Sequence, residues 1–145
     1  MIAINPQRTD GLIDELVVVW TKSVQATHLF LTAKDIELLT PLVRAGLMGI
    51  DDLCVLYHDN QAVGFVGIAS HKIEMMFLHP QMRGQGYGKQ LVQLAFDKYR
   101  VQYVDVNEQN EQATMFYQTM GFEVFARSEY DEQGNKFPIL KMRQK

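Results

Sequence analysis

The spacing of apolar residues along the chain alternates between the period of a helix and that of a strand. Apolar residues recur every three or four positions in four segments, as at Leu12, Leu16 and Trp20, which predicts helices with one buried face. These helices cover residues 11–27, 33–48, 86–99 and 110–120. Shorter segments with alternating or continuous apolar residues predict strands. The strands cover residues 1–5, 53–58, 62–70, 72–78, 102–106, 122–130 and 137–142.

The lengths of the connections predict how these strands pair. Tight turns such as Asp59-Asn60 make the three strands that follow the second helix an antiparallel meander. The helix at 86–99 favours a right-handed crossover, which leaves the strands on either side of it parallel. The last two strands form a hairpin around residues 131–134. We therefore expect one α/β domain over residues 1–145, with a mixed, mostly antiparallel sheet of about seven strands and four helices.

Composition excludes some classes of protein but does not indicate a function. Apolar residues make up 47% of the chain and charged residues 21%, which is ordinary for a globular protein. The net charge of -3 and the scattered Lys and Arg residues argue against a nucleic-acid partner. No apolar run approaches the roughly 18 residues of a membrane span. The single cysteine, Cys54, lies in an apolar run, so we expect a buried thiol in a cytoplasmic protein.

A glycine-rich segment at residues 83–89 connects the predicted strand at 72–78 to the next helix. A helix that begins behind glycines presents free N–H groups and a positive dipole end, which suit phosphate or pyrophosphate. A Walker loop is not matched, because Lys89 is followed by Gln90 rather than Ser or Thr. A dinucleotide fingerprint is matched weakly, because it needs glycine at position 89. A turn whose glycines serve backbone geometry alone also remains open.

The pattern Arg83-x-x-Gly86-x-Gly88 resembles the motif of the GNAT N-acetyltransferase family. A second segment, which includes Asn110 and Tyr117, resembles the downstream segment of the same family at the expected distance. The order of predicted elements also matches over essentially the whole chain. The resemblance implies a small bacterial single-domain member with the GNAT-type acyl-CoA N-acyltransferase fold. Its implied activity is direct transfer of an acetyl group from acetyl-coenzyme A to a primary amine.

The resemblance also implies how the cosubstrate is held. Backbone N–H groups of the glycine segment hold the pyrophosphate, and the two strands that flank the following helix splay apart beside the pantetheine arm. Asn110 or Asn107 would contact that arm, and no metal ion is implied. The residues assigned to acetyl-coenzyme A are Phe77, Leu78, Arg83, Gly84, Gln85, Gly86, Tyr87, Gly88, Lys89, Asn110 and Tyr117.

Two proton transfers accompany acetyl transfer to an amine. A lysine-like amine has a pKa of about 10.4, so a general base is useful at neutral pH. The resemblance places Glu74 in this role, directly or through water, with His79 and His71 as alternatives. The leaving thiolate needs a proton, and the resemblance assigns Tyr117 as the general acid. A solvent-facing glutamate and a core tyrosine are the structural alternatives for these two residues.

The acceptor is predicted only as an amine of a small molecule or a protein. The resemblance places His28 and Phe30 at the acceptor pocket, while a buried histidine and a core phenylalanine are the alternatives. Pocket shape decides the acceptor, and sequence motifs do not describe it. A non-catalytic acyl-coenzyme A sensor is the second functional hypothesis. The chain is expected to be a monomer or a homodimer.

Overall fold

The computed structural model describes residues 1–132 and 134–145. Within these residues, four α-helices accompany one sheet of seven strands, so the predicted fold class is confirmed. In chain order the elements are β1 (Ile2–Ile4), α1 (Asp10–Thr27), α2 (Ala33–Gly49), β2 (Asp52–His58), β3 (Gln61–Ala69), β4 (Lys72–Leu78), α3 (Tyr87–Tyr99), β5 (Tyr103–Asn107), α4 (Glu111–Thr119), β6 (Phe122–Ser128) and β7 (Ile139–Gln144).

All seven strands join one mixed sheet in the order β1-β2-β3-β4-β5-β7-β6. Each neighbouring pair is antiparallel except β4 and β5, which are parallel as the helical crossover predicts. β7 lies between β5 and β6. Connection lengths do not predict this insertion, because either strand of a terminal hairpin can pair with β5.

The parallel pairing of β4 and β5 ends early. Its last pair is Ile73 with Val104, and no further pair follows among the described residues. β4 nevertheless continues beside β3 as far as Leu78, and β5 continues beside β7 as far as Asn107. The two strands therefore separate in the middle of the sheet, as the family resemblance implies.

A β-bulge at Glu74 accompanies this separation. Ile73 lies opposite Ile68 and Met75 lies opposite Gly67, so Glu74 has no partner on β3. A bulge bends the strand that carries the extra residue and changes where its side chains point. Here it falls immediately after the last residue of β4 that pairs with β5.

The remaining differences from the sequence-based expectation lie at element ends. β6 ends at Ser128 and β7 begins at Ile139, so the hairpin connection is longer than the predicted turn at 131–134. That turn includes Gln133, which lies outside the described residues. α3 begins at Tyr87, one residue later than predicted.

Helices cover both faces of the sheet and create a core on each. The α1–α2 face buries Leu12, Ile13, Leu16, Val19, Trp20, Val24, Leu47, Leu53, Val55, Ala62 and Phe65. The α3–α4 face buries Cys54, Leu56, Val63, Val66, Ile68, Ile73, Leu91, Val92, Ala95, Val101, Val104, Val106, Tyr117, Phe122 and Met142. Cys54 is fully buried, as its apolar surroundings in the sequence predict.

Side-chain caps fix where three helices begin. The Thr9 hydroxyl accepts a hydrogen bond from the Leu12 N–H at the start of α1. Thr32 and Asp35 form a reciprocal capping box at the start of α2. The Asn110 side chain caps α4. Among the described helices, none has the length and apolar character that crossing a membrane requires.

Candidate active site

The segment between β4 and α3 presents a row of backbone donors. Gly86 caps α3 with a φ of 85°, a left-handed conformation that favours glycine. No side chain caps this helix, and the N–H groups of residues 84–89 donate to no acceptor within the described part of the chain. A Cβ atom at Gly88 would lie 3.3 Å from the Phe116 ring, so glycine also permits close packing of α3 on α4.

These donors border a cavity of about 520 Å³, here called the glycine cavity. Its walls come from the end of α1, the end of β4, the glycine segment and α4. The lining residues are Ser23, Thr27, His28, Met76, Phe77, Leu78, Met82, Arg83, Gly84, Gly86, Tyr87, Gly88, Lys89, Asn110, Gln112, Ala113, Phe116 and Tyr117.

A second cavity of about 510 Å³ lies against the start of β4 and the second half of β5 and is called the acidic cavity. Four carboxylates and two lysines line it, together with aromatic side chains from α1, the α1–α2 loop and the β6–β7 loop. The lining residues are Trp20, Val24, His28, Phe30, Leu31, Leu39, Lys72, Ile73, Glu74, Phe77, Asp105, Asn107, Ser128, Tyr130, Asp131, Glu132, Phe137, Ile139 and Lys141.

A narrow cavity of about 110 Å³ occupies the opening between β4 and β5. It shares Tyr117 and Asn110 with the glycine cavity, and Glu74 with the acidic cavity. His28 and Phe77 line all three cavities. The opening in the sheet therefore connects the two larger cavities at a point between Tyr117 and Glu74.

Tyr117 lies in an apolar environment at this junction. The residue is 7% exposed, and its ring packs edge-on against Phe116 and Phe122. Its hydroxyl makes no hydrogen bond within the described residues, yet no fully enclosed polar side-chain atom among them lacks a partner. The hydroxyl must therefore reach the cavities rather than the core. Burial raises the pKa of Tyr117, so the phenol stays protonated at neutral pH.

Glu74 belongs to a cluster of charges at the acidic cavity. The Lys72 Nζ atom lies 2.8 Å from Asp105 Oδ2 and 3.9 Å from Glu74 Oε1. Burial raises the pKa of Glu74, the charge of Lys72 opposes that shift, and Glu132 and Asp105 add to it. The Glu74 carboxyl is therefore a stronger base than a free glutamate.

His28 is held as a neutral imidazole. Its Nδ1 atom lies 2.8 Å from Thr27 Oγ1, and the Thr27 hydroxyl donates its single proton to the Ser23 carbonyl at 2.7 Å. Nδ1 must therefore carry the proton donated to Thr27, which leaves the lone pair on Nε2. Burial lowers the pKa of His28 from 6.5 to about 4, and the positive charge of Arg83 makes a smaller contribution in the same direction.

The structure brings most of the predicted site residues together. Of the residues assigned to acetyl-coenzyme A, only Gln85 does not line the glycine cavity, and its side chain donates to the Gln81 carbonyl. Phe30 lines the acidic cavity beside His28. The alternative bases His71 and His79 line none of the three cavities.

Sequence reasoning missed several residues of the acidic cavity, among them Lys72, Asp105 and Phe137. Lys72 and Asp105 occupy polar positions of alternating strands, which is where solvent-facing residues also occur. Phe137 was assigned to the last strand, but it lies in the loop before β7, with its ring 5.2 Å from that of Phe30. Only the strand register and loop packing identify these residues.

Comparisons with known proteins agree with the fold. A family model described as an acetyltransferase (GNAT) domain matches residues 50–124. The peptidyl-lysine N-acetyltransferase YjaB of Escherichia coli is 39% identical over 89% of this chain and 88% of that protein. The solution structure of apo-form YjaB from Escherichia coli superposes with a TM-score of 0.87 at 38% identity, over 99% of this chain and 97% of that one.

A more distant structure shares the fold alone. The PaiA N-acetyltransferase from Thermoplasma acidophilum, in complex with coenzyme A, is 19% identical with a TM-score of 0.71, over 100% of this chain and 99% of that one. The chain belongs to the GNAT acetyltransferase family. The predicted acetyl transfer to an amine is confirmed, and the dinucleotide-binding alternative is excluded.

The lowered pKa of His28 predicts a pH-dependent stability. Between pH 6.5 and about 4 the unfolded chain binds a proton at His28 that the folded chain does not, so stability falls as pH falls through this window. We expect the free energy of unfolding, measured with urea, to fall by about 2 kcal/mol from this group between pH 7 and pH 5. In the His28→Gln variant, the free energy of unfolding should lack this dependence on pH.

His71→Gln is the matched control, because it replaces an exposed histidine and should retain the slope of the wild type. Identical slopes in the wild type and the His28→Gln variant would show that His28 is not held neutral by the fold.

Proposed function

We propose that this GNAT protein is an acetyl-coenzyme A dependent acetyltransferase whose acceptor is the side-chain amine of a lysine in a peptide or protein. The observation that carries the proposal is the pair of cavities of about 520 and 510 Å³ that meet at the opening between β4 and β5. Such a pair suits two substrates that enter from different sides and react in the middle. Membership of the family specifies the reaction, and the acidic cavity restricts which amines suit the acceptor position.

The glycine cavity fits the cosubstrate. Six successive N–H groups at residues 84–89 lack acceptors in the described chain, and pyrophosphate oxygens would supply them. The exposed side chains of Arg83 and Lys89 add positive charge at the rim. Phe77 and Leu78 lie on the edge of β4 that β5 leaves unpaired, and Asn110 lies across the cavity. Bound acetyl-coenzyme A would supply the acetyl thioester at this opening.

The acidic cavity suits an alkylammonium acceptor. Glu74, Asp105, Asp131 and Glu132 outnumber Lys72 and Lys141 on its walls, and a net negative surface attracts a cation. The wall also includes the rings of Phe30 and Phe137, which would pack on an aliphatic stem. YjaB, a relative at 39% identity, is named a peptidyl-lysine N-acetyltransferase, which supports the same acceptor here.

Glu74 and His28 would act on the amine, and Tyr117 would act on the leaving sulfur. The Glu74 carboxylate takes a proton from the ammonium, and the freed amine, held by a hydrogen bond to the unprotonated His28 Nε2, attacks the thioester carbonyl carbon to form the new C–N bond. The C–S bond then breaks as Tyr117 Oη supplies a proton to the departing sulfur, and the second proton lost by the acceptor nitrogen restores the Tyr117 phenol. The burial that keeps the phenol protonated also disfavours a free thiolate in the same place, so proton transfer accompanies cleavage of the thioester.

A thiol-release assay with acetyl-coenzyme A tests the acceptor. A peptide with a blocked N-terminus and one internal lysine should give a higher kcat/KM than the same peptide with arginine and a free α-amine, or than short diamines. Mass spectrometry should locate the acetyl group on the lysine Nζ atom. Preference for the α-amine or for a small diamine would contradict the proposed acceptor, while the family assignment would stand.

Replacement of Tyr117 by Phe tests the proposed general acid. The variant removes only the hydroxyl from an otherwise apolar environment, so we expect kcat to fall about 100-fold or more. Binding of coenzyme A, measured by calorimetry, should remain unchanged. Tyr99→Phe is the matched control, because the Tyr99 hydroxyl lies near Cys54 and does not line the cavities. A Tyr117→Phe variant with wild-type kcat would refute this role.

Replacement of Glu74 by Gln tests the proposed base. Burial raises the pKa of the Glu74 carboxyl, so activity in the wild type should fall on acidification at a pH above the ordinary range of glutamate. The Gln variant should lower kcat/KM at pH 7 by about 100-fold and lose this acid limb. Glu123→Gln, on the outer strand β6, is the control. If the Glu74→Gln variant kept the pH profile of the wild type, the base that takes the proton from the ammonium would be another group.

A further inference from the structure

Lys72 places an ammonium group inside the acidic cavity. Its Nζ atom donates to Asp105 Oδ2 at 2.8 Å and lies 3.9 Å from Glu74 Oε1. The side chains are only partly accessible, at 25% for Lys72, 28% for Asp105 and 35% for Glu74. This ion pair therefore stands on the wall of the cavity and not on an open surface.

The group that Lys72 presents is chemically the same as the proposed acceptor. Both are a primary ammonium at the end of a four-carbon chain. The geometry around Lys72 demonstrates that one such group fits between the two carboxylates. A second ammonium at the same place would be repelled by the first, because like charges at a few ångströms disfavour each other in a partly buried site.

We propose that Lys72 is an internal competitor of the acceptor, which reaches Glu74 and Asp105 only by displacing the Lys72 ammonium. The proposal rests on the lysine acceptor of the proposed function. Lys72 then weakens the binding of every cationic acceptor and favours those that gain additional contacts with the rest of the cavity. It is a specificity-determining residue that takes no part in the chemistry.

The surroundings of Lys72 permit such a displacement. Its side chain is a quarter exposed, so rotation about the bonds of its four-carbon stem can carry the ammonium toward solvent without unfolding of β4. Glu132 also attracts this ammonium and provides a third carboxylate near it. The remaining charged residue of the wall, apart from Asp131, is Lys141, for which no ion pair is found among the described residues.

Peptide binding without turnover tests the proposal. A fluorescent lysine peptide is titrated with protein saturated by coenzyme A, which carries no acetyl group, and the anisotropy gives Kd. Lys72→Met should lower Kd about three- to tenfold, the range of one ion pair at a partly buried site. The same peptide with acetyl-lysine, which is neutral, should bind the wild type and the variant equally. Lys72→Arg keeps the charge and should keep the wild-type Kd.

The Lys141→Met variant distinguishes competition by the Lys72 ammonium from a general effect of removing one positive charge from the cavity. It removes the same charge from the wall of the same cavity without breaking the Lys72–Asp105 pair, so its effect should be smaller than about twofold. An equal gain in Lys141→Met, or an unchanged or higher Kd in Lys72→Met, would overturn the proposal. Lys72→Gln, which keeps a polar group on β4, gives the same comparison if the Met variant fails to fold.

The same measurements test the proposed function separately from the role of Lys72. If the wild type acetylates the lysine peptide and Lys72→Met leaves Kd unchanged, the competitor role fails and the acceptor assignment stands. If the wild type neither binds nor acetylates the lysine peptide, the acceptor assignment itself fails.

Discussion

The bulge at Glu74 is the constraint on which the site depends. A strand with one extra residue bends, and β4 stops pairing with β5 at this residue. Each strand retains a partner on its other side, β3 for β4 and β7 for β5, so the sheet opens without coming apart. The opening leaves backbone donors and acceptors on two strand edges without a strand partner. Such edges are unfavourable unless water or a ligand satisfies them, which is what an extended amide-containing ligand can do.

The two groups at the opening are neutral for the same physical reason. Tyr117 and His28 are removed from water by apolar neighbours, and burial disfavours the charged form of each. The opening therefore has a phenolic proton donor, Tyr117, on one side and a nitrogen lone pair, that of His28, on the other. Both groups are uncharged. The charges of Glu74, Lys72 and Asp105 lie on the side of the opening that faces the acidic cavity. A cationic acceptor would thus lose its charge as it moves from this cluster toward the opening.

Local features of the chain could be predicted from the sequence. The helical period located α1 and α3, the turn at Asp59-Asn60 fixed the meander, and the crossover fixed the parallel pair. The glycine segment was recognisable because positive φ angles and close backbone approach leave a specific signal. The position of β7 between β5 and β6 was not predictable, because it depends on competition between two strands for one edge. The loop that contains Phe137 has no period and gives no pattern that would reveal its contact with Phe30.

The charge cluster illustrates why the acceptor half of the site needs the structure. Lys72 and Asp105 are separated by a whole helix in sequence, and they meet because Lys72 lies opposite Tyr103, two positions before Asp105. Alternate residues of a strand share a face, so this register places both side chains on the same side of the sheet. A register shifted by one residue would move Asp105 to the other face and leave the Lys72 ammonium without that partner. Glu74 lies two positions after Lys72 on β4 and therefore shares this face, so one register brings the lysine and both carboxylates together.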